Sequence, residues 1–122
     1  MAARITRPRD YFLRFDAGVQ AQADALIDAL LNRFPEVELV VMYNAPFFRL
    51  RDNGWSVLQL TRDRTGFRAG FVNDAALAFA QRPPSPRLTG SEHVQTLRFD
   101  PGTDHDLLME LVAQAIATQA LR

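Results

Sequence analysis

The chain has 122 residues, with fourteen basic residues, all arginine, against fourteen acidic ones and no cysteine. That length fits one domain with one core, and the absence of cysteine excludes disulfides, thiolate nucleophiles and cysteine-based metal or cluster sites. A net charge of zero gives no field toward nucleic acid or an anionic membrane, and 48% hydrophobic with 23% charged residues is the composition of a folded globular protein.

The opening stretch MAARITRPRDYF carries arginines but no apolar signal-peptide core, and no unbroken apolar run reaches membrane-spanning length. The expectation is a cytoplasmic protein, and arginine without lysine points to a GC-rich bacterial genome. Residues 1–15 read as an N-terminal arm of a single domain spanning 1–122. From Ala23 the apolar positions Leu26, Ile27, Leu30, Leu31 and Phe34 recur at three-four spacing, which predicts a helix over Ala17 to Phe34 capped by Asp16 and stopped by Pro35.

EVELVVMY and PFFRLR follow as strands. Asp52-Asn53-Gly54 then predicts a tight hairpin with positive φ at both central residues, leading to the partner strand Trp55 to Arg62. DRTG turns the chain into FRAGFV, which completes a meander, and Asn73 is placed to cap a short helix through DAALAFA. QRPPSPR, with three prolines in seven residues, reads as a surface loop. HVQTLRF is the last strand. Thr103 and Asp106 have capping-box spacing before a final helix whose stripe is Leu107, Leu108, Leu111, Val112, Ala115 and Ile116.

The helix ending RFPEVE, the corner VVMYNAPFFRL, the stretch GFRAGFVNDAAL, then LTGSEHVQTLRF and an amphipathic helix resemble the DUF1801, or YdhG-like, family of small bacterial domains over roughly Ala23 to Leu121. Members commonly carry Tyr-Gly-x-Pro-x-Phe at the turn, and here Asn44 stands in place of the glycine. Asparagine tolerates left-handed conformations best among the other residues, so the turn survives and gains an amide. The resemblance implies an α+β fold, a mainly antiparallel sheet of about five strands with the N- and C-terminal helices packed on one face. It leaves function open: most members are unassigned, and some are described as intracellular iron chaperones similar in role to frataxin. Iron is implied here by resemblance alone, and no other cofactor is implied.

The corner YNAPFF has two readings. As architecture, Pro46 sets the chain direction and the aromatics fill the core. As a site, Tyr43, Asn44, Phe47, Arg49 and Trp55, with His93 at its rim, offer stacking faces, a hydroxyl and an amide to a small molecule or protein partner. If Phe48 and Leu50 face the core, strand alternation turns Phe47, Arg49 and Arg51 outward and leaves Phe47 exposed. Asp24 and Asp28, one helical turn apart, with Glu36 and Glu38 beyond, are weak oxygen ligands for a hard cation; the plainer reading is a solvated helix face. Asp104-His105-Asp106 do not share a face, and acids at a helix start suit its dipole. No catalytic motif is present, so no catalytic residue is assigned. The leading expectation is a binding module; the alternatives are a frataxin-like iron carrier and a structural homodimer joined through exposed aromatics.

Overall fold

The computed structural model describes residues 4–121, so residues 1–3 of the expected arm lie outside the described residues. A 3-10 helix, Pro8–Arg14, leads into α1, Ala17–Arg33, whose Asp16 cap accepts the Val19 N–H at 2.9 Å as expected. Four strands follow, β1 Val37–Met42, β2 Ala45–Leu50, β3 Ser56–Arg62 and β4 Phe67–Val72, then α2, Asn73–Gln81. A short β5, Leu88–Gly90, pairs with β6, Val94–Phe99, before α3, His105–Gln119. The fold is α+β, and every strand pair is antiparallel, in the order β1-β2-β3-β4-β6-β5. The sheet has six strands rather than about five, because β5 grows out of the proline-rich loop once Leu88 pairs with Leu97.

Strand alternation sorts the sheet into two faces. Phe48, Leu58, Leu60, Ala69, Phe71, Leu97 and Phe99 share the inner face and are buried. The Phe71 ring meets Phe79 of α2 edge-on at 5.3 Å, while α3 packs on β3 and α2, and α1 lies by β1. Glu38, Val40, Arg49, Gln59, Thr61, Arg68, Thr96 and Arg98 lie on the opposite face and stay partly or fully exposed. The helices therefore cover one face and leave the other open. No helix among the described residues is long and apolar enough to cross a membrane.

Several local expectations are corrected. Within the described part of the arm Tyr11 and Phe12 are buried in the core, and the Tyr11 hydroxyl both accepts the Arg62 N–H and donates to the Arg62 carbonyl, each at 3.2 Å. Pro46 contributes no N–H, and the β2–β3 register runs only from Phe47↔Gln59 toward the other end; the tyrosine takes up the β3 backbone beyond it. The tight left-handed turn sits at Tyr43-Asn44, with φ of 52° and 57°, and not at Asn53-Gly54, where only Gly54 has positive φ. There Leu50 and Trp55 close a four-residue loop, the Gly54 N–H reaches the Leu50 carbonyl at 2.9 Å, and Asn53 Oδ1 accepts the Trp55 N–H.

Neither expected cap forms. Asn73 has a φ of 59° and turns its amide to the Ser56 carbonyl, so the first turn of α2 is capped from α3, where fully buried Gln119 accepts the Ala75 N–H at 3.1 Å. Gln119 Nε2 also donates to the Ser56 carbonyl at 2.7 Å, which ties β3, α2 and α3 together. At the start of α3 the Asp104 carboxylate is engaged by Arg87 at 2.6 and 3.0 Å and by the Asp100 N–H at 2.8 Å, and Thr103 donates its N–H to Asp100.

A candidate ligand groove on the open face of the sheet

Tyr43 and Asn44 are the two loop residues of the β1–β2 hairpin, which Met42 and Ala45 close. Left-handed backbone at a bulky aromatic is sterically costly, on the order of 1 kcal/mol. The hairpin nevertheless places tyrosine there and leaves it 85% exposed. The Tyr43 ring packs edge-on over Phe47, with centroids 5.9 Å apart. Phe47 lies on the outer face as alternation requires, but under this cover it is buried at 4% exposure, which corrects the expectation of an exposed phenylalanine.

Around this pair lies a groove of about 620 Å³. Met42, Tyr43 and Phe47 form one wall, Gly54, Trp55 and Ser56 enter from the start of β3, and Val72, Asn73, His93 and Val94 close the far side. Gln59 of β3 lies between them. Gly70 of β4 opens the space beside Gln59: a Cβ there would stand 3.6 Å from Gln59 Oε1 and 3.8 Å from Val94 Cγ1, ordinary contact that the glycine leaves empty. Among the described residues no hydrogen bond reaches the Gln59 side chain. None of the lining side chains is a carboxylate, a guanidinium or an ammonium; His93, at the tip of the β5–β6 hairpin, brings an imidazole to the rim.

Of the residues picked out from sequence, Tyr43, Phe47, Trp55 and His93 converge on this groove. Asn44 does not line it: its Oδ1 accepts the Ile5 N–H at 2.8 Å and fastens the N-terminal segment to the hairpin. Arg49 pairs with Glu38 at 3.1 Å across the β1–β2 ladder. Gln59 and Gly70 were not picked out, although both leave a trace: a lone polar residue between Leu58 and Leu60, and a glycine inside a strand.

The acidic candidates are arranged differently from a cation site. Arg9 sits between Asp24 and Asp28, at 3.0 and 2.6 Å, while Glu36 stands exposed before β1. Among the described residues no three histidine or acidic side chains gather to hold a metal ion. The most perturbed carboxylates lie elsewhere, in the β3–β4 and β6–α3 loops. Thr65 donates its hydroxyl and backbone N–H to Asp63, the Gly66 N–H adds a third bond, and Arg68 pairs with it, holding the Asp63 carboxyl well below the usual range. Arg87 and the Asp100 N–H likewise hold the Asp104 carboxyl down at about 2.

Searches of protein-family models and of curated proteins find no match to this chain. Among solved structures its fold is similar to the crystal structure of YdhG, a DUF1801-family protein from Bacillus subtilis, with a TM-score of 0.65 over 91% of this chain and 92% of that one. The two sequences are 14% identical over this match, so the likeness is one of architecture. The DUF1801-like resemblance carried by the corner and strand motifs thus holds in three dimensions: the chain has a DUF1801-like fold.

Proposed function

We propose that the protein is a binding module whose groove on the open sheet face takes a small ligand between Tyr43 and Trp55. The observation that carries this reading is Tyr43 itself. A two-residue left-handed turn favours asparagine, aspartate or glycine, so a tyrosine held there at φ 52° and left 85% exposed is unfavourable for the fold alone and suits a side chain kept for contact. Trp55, 38% exposed, faces the same space, and a mixed aromatic and polar lining of several hundred Å³ matches the usual anatomy of small-molecule sites.

Trp55 is the chain's one tryptophan, so its indole N–H gives a single reporter resonance in the groove. A fragment screen by heteronuclear NMR is expected to find planar ligands that shift it, with calorimetric affinities that fall at least tenfold, roughly 1.4 kcal/mol, in Tyr43→Asn and Trp55→Leu. Unchanged affinity in both folded variants, or a screen in which no compound moves the indole signal, overturns the reading.

A further inference from the structure

Resting on that reading of the groove, we infer that its ligand is an uncharged, planar nitrogen heterocycle presenting a hydrogen-bond donor beside an acceptor, which Gln59 reads. Three observations select this chemistry. No carboxylate or guanidinium lines the groove, so neither a strongly anionic nor a cationic group finds a counter-charge inside it. The aromatic groups stand at its edge and wall, Tyr43 over Phe47 and Trp55 from the loop before β3, which suits a flat ring rather than a branched aliphatic chain.

The third is the pairing of Gln59 with Gly70. Gln59 Oε1 stands 3.6 Å from where a Gly70 side chain would begin, so the amide lies over bare strand backbone with open space beside it. Its N–H₂ and C=O are not taken by any described residue, whereas the neighbouring polar groups are committed: the Ser56 carbonyl to Gln119 and Asn73, the Ser56 hydroxyl to Met42. A carboxamide offers a donor and an acceptor side by side, and its geometric complement is an amino group next to a ring nitrogen, the pairing by which glutamine or asparagine recognises an adenine edge. The arginine-rich corner around Asp63 and Asp104 is a weaker candidate for a ligand site, because Arg68 and Arg98 already bind Asp63 and Arg87 binds Asp104.

The test titrates the full chain, followed at the Trp55 indole N–H and by calorimetry, with four probes: adenosine, purine riboside, adenosine monophosphate and 2-naphthol. Purine riboside keeps the ring but lacks the amino donor; the monophosphate adds charge; naphthol keeps the flat apolar surface. Adenosine is expected to bind about tenfold tighter than purine riboside, since the analogue leaves the glutamine carbonyl unpaired, and the monophosphate no tighter than adenosine. Gln59→Leu removes the preference for adenosine while purine riboside still binds, and Gly70→Val, which sets two methyl groups between Gln59 and Val94, weakens both. Equal binding of adenosine and purine riboside, a preference that survives Gln59→Leu, or tighter binding of the monophosphate overturns this ligand class. If naphthol alone binds, the class fails and the groove reading stands; if none of the four shifts the indole signal, both fail.

Discussion

The Tyr43 ring meets the Phe47 ring edge-on at 61° and 5.9 Å, and Phe47, though outward-facing, is buried between Val40 and Gln59 of the neighbouring strands. Two opposing terms meet in Tyr43: left-handed strain of about 1–2 kcal/mol and an aromatic contact worth about 0.5–1.5 kcal/mol. Tyr43→Asn relieves the first and loses the second, so its stability in urea denaturation is expected to stay within about 0.5 kcal/mol of the parent while ligand affinity falls. A loss above about 1.5 kcal/mol would mean that the ring serves the hairpin and not a ligand.

Gln119 is the fold's central polar tie. Fully buried, it gives its N–H to the Ser56 carbonyl and takes the Ala75 N–H, so Gln119→Leu strands the Ala75 N–H and leaves the Ser56 carbonyl to the longer Asn73 bond. The expected loss is about 2–3 kcal/mol by chemical denaturation, with faster amide exchange at Ala75. An unchanged midpoint would show that the first turn of α2 is satisfied in another way.

Acid should reach the β6–α3 corner late. The folded Asp104 carboxyl lies at about 2, below the value of about 3.9 for a free aspartate, so the fold favours the charged form. Its contribution is complete above pH ~5 and is lost as pH falls through the folded value near 2. Asp104→Asn removes that contribution, and the gap in stability between parent and variant should narrow steadily from pH 5 to pH 2. A gap that widens in acid would reverse the assigned sign.

Two glycines on the sheet should respond in opposite directions. Gly90 has a φ of 139°, and a Cβ there would stand 2.2 Å from the Val94 carbonyl oxygen, so Gly90→Ala should cost about 3 kcal/mol and release the β5–β6 hairpin. Gly70 has ordinary strand backbone and room at its Cβ, and Gly70→Ala should stabilise by about 0.5–1 kcal/mol. Thermal melts of the two variants, which should move to opposite sides of the parent, check both statements.

What the sequence announced, it announced through periodicity. The stripe from Ala23 to Phe34, the cap at Asp16 and the strands on either side of Tyr43-Asn44 follow from local chemistry, and they carried the resemblance in fold. What it hid are decisions made between elements. Nothing near Asn73 says that α2 will be capped by Gln119, forty-six positions later in the chain, and nothing in a proline-rich loop says that Leu88 will find Leu97. The groove was half visible: its aromatics stand out in the string, but Gln59 and Gly70 acquire meaning only when β3 and β4 lie side by side. Arg49 and Asn44 had the right residue types and found other partners, Glu38 and the Ile5 backbone.

The sheet with helices on one side works as a partition. Changes on the covered side disturb packing shared by α2, α3 and four central strands and are tested first by whether the chain folds. Changes on the open side touch groups that hold little else in place, so Tyr43, Gln59 or His93 can be exchanged one at a time while the scaffold persists.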